Sequence, residues 1–133
     1  MTTTTNLNIT HISASQAQKE VTANEAFDIL DGAVGGLFTK NMASDADYTL
    51  ATTGTPPFEW QRAAVKITDT GPVLTTGRNI IVPAEAKAYI FINATAQTLT
   101  LKTSAGSGIA VATTKTALLY CDGTNVVRVT ADT

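Results

Sequence analysis

Beyond Lys40 the sequence is divided into short runs of apolar and β-branched residues, and turn residues separate the runs. Such runs are typical of strands, and several at close spacing predict an all-β sandwich or barrel. The predicted strands are 48–51, 58–68, 73–82, 88–93, 98–103, 109–112, 117–121 and 126–130. We therefore expect residues 39–133 to form a small antiparallel β-sandwich or jelly-roll-like domain.

The clearest local signal in this part of the chain is Asp122-Gly123, which separates two apolar runs. Asp-Gly is favoured in hairpin turns because a type I′ turn needs a positive φ at both central residues. The sequence therefore predicts that the runs 117–121 and 126–130 pair as a hairpin.

Side-chain alternation distinguishes two kinds of strand. Leu99 and Leu101 alternate with polar residues, which predicts one buried and one solvated face. In the run 88–93, by contrast, Tyr89 and Phe91 alternate with isoleucines, so both faces are apolar. We expect the second face of that strand to be covered, either by the chain's own helix or by another subunit.

The first 38 residues have a different pattern. Residues 1–12 form a polar, threonine-rich arm, which we expect to order only against a partner. A capping box from Ser15 to Gln18 opens a predicted helix over 14–31, with a looser turn through Phe38. Its apolar positions recur at the spacing of an amphipathic helix and comprise Ala23, Ala26, Phe27, Leu30, Ala33, Val34 and Leu37.

Composition excludes several classes of function. The net charge is −2 and no lysine or arginine run is present, so nucleic acid is not an expected partner. No apolar run approaches the length of a membrane span or a signal peptide. Threonine makes up 25 of the 133 residues, a β-branched composition that suits strands and extended assemblies.

Residues for catalysis are scarce. His11, the only histidine, lies in the arm, and Cys121 ends an apolar run where a buried thiol is expected. Asp45 and Asp47 could contribute to a calcium site, but further oxygen ligands at loop spacing are missing. We predict no catalytic residue, no metal site and no cofactor, and hence not an enzyme.

Three aromatic residues close together in the sequence allow one binding function. Tyr48, Phe58 and Trp60 could form a platform on which a host glycan stacks. Packing in the core is the alternative for the same side chains.

Residues 16–26 read Gln-Ala-Gln-Lys-Glu-Val-Thr-Ala-Asn-Glu-Ala. This segment resembles the QAQK-x-VT-x-NEA block that opens many bacteriophage and gene-transfer-agent virion proteins. The segment from Ile80 to Asn125 is similar, more loosely, to small β domains appended to phage tail and fibre proteins.

The resemblance implies a virion structural protein, commonly a homotrimer, whose N-terminal block docks on other virion proteins of the head or the tail. The candidate attachment and oligomer residues are Gln16, Gln18, Lys19, Val21, Asn24, Phe27 and Leu30. A fibre, spike or decoration element is the expected function, and a host-glycan-binding module of the tail is the alternative.

Overall fold

A computed structural model describes residues 2–130, in which one α-helix precedes nine strands. In chain order the elements are α1 (Lys19–Gly35), β1 (Leu37–Asn41), β2 (Tyr48–Thr49), a 3-10 helix (Glu59–Gln61), β3 (Ala64–Thr68), β4 (Arg78–Val82), β5 (Lys87–Ala94), β6 (Leu99–Thr103), β7 (Gly108–Val111), β8 (Thr116–Cys121) and β9 (Val126–Arg128). The prediction of a mostly β chain with an N-terminal helix is confirmed.

The strands form two mixed sheets, ordered β1-β3-β5-β8-β9 and β2-β4-β6-β7. The first three strands of each sheet are parallel, and antiparallel pairs follow. The predicted all-antiparallel arrangement is therefore wrong. Strands from β1 to β6 alternate between the two sheets. Parallel neighbours in a sheet need a long crossover connection, and here each crossover contains a strand of the other sheet.

Both sheets contribute to one hydrophobic core. Tyr89 and Phe91 of β5, Leu99 and Leu101 of β6 and the ring of Trp60 are each at most 1% exposed. The predicted one-sided burial of β6 is confirmed, since its residues alternate between buried and half-buried. The body of the fold is thus held by apolar burial, the dominant favourable contribution to folding.

Helix α1 begins five residues later than predicted and extends to Gly35. The predicted capping box does not form, because Gln18 adopts a left-handed conformation with φ of 54° and makes no side-chain cap. The backbone N–H of Ser13 instead donates to Oε1 of Gln16 at 3.0 Å. At the other end, Gly32 is buried and its carbonyl oxygen accepts a 2.9 Å hydrogen bond from the N–H of Ala63.

The N-terminal arm packs on its own chain. The expectation that residues 1–12 order only against a partner is therefore wrong. Thr3 and Thr10 form an isolated antiparallel bridge, and Leu7 contacts the core cluster. Nε2 of the buried Gln61 donates to the carbonyl oxygen of Leu7 at 2.6 Å. The arm is therefore fixed by a hydrogen bond whose donor lies in the interior.

Several predicted strands are shorter in the structure, and β1 was not predicted. The run 58–68 contains the 3-10 helix before β3, and the run 73–82 contributes only β4. The carboxylate of Asp69 accepts the N–H groups of Val73 and Leu74 at 2.9 and 3.0 Å, which withholds them from a sheet. The predicted hairpin is confirmed as the antiparallel pair β8–β9, although only Gly123 of its turn has a positive φ.

Candidate functional site

One face of α1 packs against the rest of the chain through small and polar side chains. Thr22, Ile29 and Gly32 are buried, and Ala26 and Ala33 are half-buried beside them. These positions follow one another at the spacing of a single helix face. Small side chains let the helix approach closely: a Cβ atom at Gly32 would lie only 3.1 Å from Cδ of Arg62.

The large apolar residues of α1 lie on a different face and are exposed. Phe27 is 66% exposed, Leu30 46% and Val34 85%, and Leu37 at the start of β1 is 51% exposed. Within the helix, Ala23, Phe27, Leu30 and Val34 follow a spacing of four, three and four, as in the seam of a coiled coil, and Leu37 follows just beyond the end of the helix. We call Ala23, Phe27, Leu30, Val34 and Leu37 the helix stripe. Within residues 2–130 the N-terminal arm reaches only the Leu30 side of the stripe, where Leu7 and Ile9 line a hollow with Leu30, and Phe27 and Val34 stay exposed.

The predicted attachment residues divide into separate groups. Phe27 and Leu30 belong to the helix stripe, whereas Val21 is exposed about 120° away from Phe27 around the helix. Gln18, Lys19 and Asn24 are also exposed, and Gln16 is partly buried, where its amide hydrogen-bonds to the hydroxyl of Thr22. The structure therefore brings two of the seven together on one apolar surface and leaves the other five outside it.

A second exposed apolar surface lies on the outer face of the five-stranded sheet. Leu37, Ala64, Ile90 and Leu118 occupy directly paired positions on β1, β3, β5 and β8. The N–H of Val129 donates to the carbonyl oxygen of Leu118 at 3.1 Å and extends this row past β9. We call these five residues the sheet row. Ile90, Leu118 and Val129 are 42%, 39% and 47% exposed, so the chain's own helix does not cover the second face of β5.

The helix stripe and the sheet row are continuous. Leu37 belongs to both, and a hollow of about 160 Å³ lies where the end of α1 meets the sheet. Its walls include Ala33, Ala63 and Ala88, with Ile90 and Leu118 at the sheet side. The sequence showed the isoleucine half of the row but not its partners on β8, where Leu118 and Tyr120 alternate with buried residues. Apolar residues on both faces of β8 were the signal that could have revealed it.

The aromatic platform proposed for a glycan is not assembled. Trp60 is 1% exposed, and it packs in the core as the alternative interpretation expects. Tyr48 and Phe58 are half-buried against the same core, and Tyr48 donates its hydroxyl to Oε2 of Glu59 at 2.8 Å. Burial and the neighbouring carboxylate raise the pKa of Tyr48 to about 12. The structure therefore does not support Trp60 as a sugar-stacking residue.

Asp45 and Asp47 hydrogen-bond to residues at the start of β4. Oδ1 of Asp45 accepts a 2.9 Å hydrogen bond from Nε of Arg78, and Asp47 accepts one of 2.8 Å from the N–H of Asn79. The hydrogen bonds from Arg78 and Thr75 hold the pKa of Asp45 well below its usual range. Within residues 2–130 no group of three or more histidine, cysteine or acidic residues is arranged to hold a metal ion.

His11 and Cys121, the two residues considered for catalysis, make ordinary structural contacts. His11 shares a 2.9 Å hydrogen bond with the hydroxyl of Thr2, and Cys121 is buried. None of the helices between residues 2 and 130 is both long and apolar enough to traverse a bilayer.

No family model, curated protein or solved structure matches this chain. The likeness of residues 16–26 to the virion block therefore rests on those residues themselves.

Proposed function

We propose that this chain is a non-enzymatic structural protein of a bacteriophage particle, a homotrimeric fibre, spike or decoration element. The observation that carries the proposal is the helix stripe, whose largest side chains are exposed on a well-formed helix. A monomer gains nothing from presenting Phe27, Leu30 and Val34 to water. A subunit that associates with copies of itself buries them.

The size of the gain fits self-association. Burying a fully exposed large apolar side chain contributes about 1.5–3 kcal/mol. Phe27, Leu30 and Val34 are 66%, 46% and 85% exposed, so their burial contributes roughly 3–6 kcal/mol for each subunit. Association costs about 4–15 kcal/mol in lost translational and rotational freedom, so burial of part of the sheet row in the same contact has to add to this gain.

Attachment to other virion proteins uses the polar residues next to the stripe. Gln18, Lys19 and Asn24 are exposed and do not belong to either apolar surface. The resemblance of residues 16–26 to the virion block covers the same positions. In this proposal residues 1–38 attach the subunit and supply the helix stripe to the assembly, while residues 39–133 form a compact β-sandwich that stands on the particle.

The test is the mass of the purified protein by light scattering over a range of concentrations. We expect a trimer for the wild type and a monomer for Phe27→Asp, because a charge cannot be buried in an apolar seam without a partner. Ser104→Asp is the matched control, since it adds the same charge at an exposed position outside both apolar surfaces. A wild type that stays monomeric at high concentration contradicts the proposal.

A further inference from the structure

We infer that each subunit of the assembly places its helix stripe on the sheet row of the next subunit, so that the contact is heterologous and closes as a ring. The inference rests on the proposed self-association and specifies which surfaces meet. The partner is a second copy of this chain, and the receiving surface is the hollow between α1 and the outer face of the five-stranded sheet.

One chain exposes both halves of such an interface. The helix stripe presents Phe27 as its largest side chain, and the sheet row is an apolar strip with a hollow beside Ile90 and Leu118. A helix-to-helix contact would bury the stripe and leave the sheet row in water. A contact of stripe on row buries both apolar surfaces at every interface of the ring.

The hollow and the ring of Phe27 are similar in size. The hollow is an open depression of about 160 Å³, and its walls include three alanines. A cavity of roughly 150 Å³ with apolar walls holds a benzene ring in a well-studied protein. The ring of Phe27 is the largest exposed apolar group of α1, and it is of the same size. We therefore assign Phe27 of one subunit to the hollow of its neighbour.

The charges at the two surfaces are complementary. Asp31 borders the helix stripe one turn from Phe27, Glu20 borders it one turn from Ala23, and both are exposed. The outward-facing positions of β1, β3, β5 and β8 carry no carboxylate, and their charged residue is Lys66, two positions along β3 from Ala64. Within residues 2–130 the ion pair is Arg78–Asp45, so Lys66 has no carboxylate partner in that part of the chain. Two sheet rows facing each other would bring lysine against lysine, whereas the helix brings acid.

Closure follows from the geometry of heterologous contacts. A head-to-tail contact generates a ring when its rotation closes and an open filament when it does not. The homotrimer already proposed corresponds to closure after three copies. Each subunit then inserts its own Phe27 into the hollow of one neighbour and binds the Phe27 of the other neighbour in its own hollow.

Disulfide trapping between differently tagged chains tests the inference. One chain carries Phe27→Cys, the other carries Leu118→Cys, and the two are mixed through a cycle of mild unfolding and refolding. The wild type, with its buried Cys121, is the control. On oxidation we expect a covalent pair that contains one chain of each tag, at least tenfold more abundant than pairs of like chains. A second combination, Leu30→Cys with Ile90→Cys, repeats the test without altering Phe27.

Each other outcome overturns the inference in a distinct way. Like pairs of the Phe27→Cys chain in an assembly that remains trimeric show a helix-to-helix seam, which leaves the proposed homotrimer standing. Like pairs of the Leu118→Cys chain show sheet-to-sheet contact. No covalent pair, together with a monomeric wild type by light scattering, removes both the inference and the proposed function.

Discussion

The side-chain amide of Asn93 in β5 donates a 2.9 Å hydrogen bond to the backbone carbonyl oxygen of Val111 in β7, and so it connects the two sheets across their core. The same Nδ2 donates to the carbonyl oxygen of Gln97 at 2.8 Å, and Oδ1 accepts from the N–H of Thr95 at 3.0 Å. A fully buried polar side chain is thus provided with partners at both of its ends.

We expect Asn93→Ala to lower the free energy of unfolding by about 3 kcal/mol, because it leaves buried backbone groups without partners. Asn41→Ala is the control: Asn41 is exposed and its side chain accepts from the N–H of Thr70, so the loss there is below about 1 kcal/mol. Urea denaturation of both variants measures the difference. Equal losses of stability would show that the hydrogen bonds of Asn93 contribute no more than those of the exposed Asn41.

Gly106 is enclosed by backbone. A Cβ atom there would lie 1.9 Å from the carbonyl oxygen of Thr124. We expect Gly106→Ala to destabilise the fold by about 3 kcal/mol, since the obstructing atom belongs to the main chain and cannot rotate away.

Gly35 in the last turn of α1 provides the opposite case, because a Cβ atom there meets nothing within 4 Å. Gly35→Ala is expected to raise the free energy of unfolding by ~0.5 kcal/mol through the smaller entropy of the unfolded chain. Denaturation curves for the two alanine variants should move in opposite directions. A shift in the same direction would refute the proposed cause.

Lys87 is 8% exposed, and its Nζ donates to the carbonyl oxygens of Arg62 and Ala88 at 2.6 and 2.9 Å. Burial lowers the pKa of Lys87 to about 8, below its usual 10.5. The unfolded state binds more protons between these two values, so the free energy of unfolding should rise with pH across that window. The rise is at most about 3 kcal/mol, at ~1.4 kcal/mol for each pKa unit.

The measurement is urea denaturation at several pH values from 7 upwards, with Lys87→Met as the comparison. The difference in stability between the two proteins should change as the wild type gains stability between pH 8 and pH 10. Above that range the buried hydroxyl of Tyr89, whose pKa is raised by burial, works against stability in both proteins. A constant difference across the window would mean that Lys87 titrates normally.

Acid should act through Asp45. The Arg78 and Thr75 hydrogen bonds lower its pKa from 3.8, so the stability that they contribute is complete above pH 3.8 and is lost as the pH falls below that value. We expect Asp45→Asn to flatten part of the decline in melting temperature between pH 5 and pH 2. Asp28→Asn, an exposed helix carboxylate, serves as the control and should melt with the wild-type acid profile.

The parts of the fold that depend on neighbouring residues could be predicted from the sequence. The β8–β9 hairpin follows from Asp122-Gly123, and the buried face of β6 follows from the alternation around Leu99 and Leu101. Parallel pairing could not be predicted in this way, because alternation along one strand is the same in both kinds of sheet. Only the positions of distant strands, such as Ala64 opposite Ile90, decide it.

The apolar residues of the helix were predicted from the sequence, but the face of the helix that packs inward was not. The helical spacing through Phe27 and Leu30 shows an apolar face, and the usual expectation is that such a face packs inward. The helix instead packs through Thr22 and Gly32, because a small face allows the closer approach to Arg62. Which face is buried is decided by the shape of the receiving surface, and that surface is formed by residues thirty positions later.

The alternation of strands from β1 to β6 between two sheets has a consequence for how such a chain can change in length. Each successive pair of strands lies on the pair before it, and the parallel ladders extend by one strand per pair. Duplication of one pair would add height without altering the helix below or the antiparallel strands that close the far end. A pair of strands, one from each sheet, is therefore a repeat unit by which both sheets can gain strands while the helix and the closing antiparallel strands stay the same.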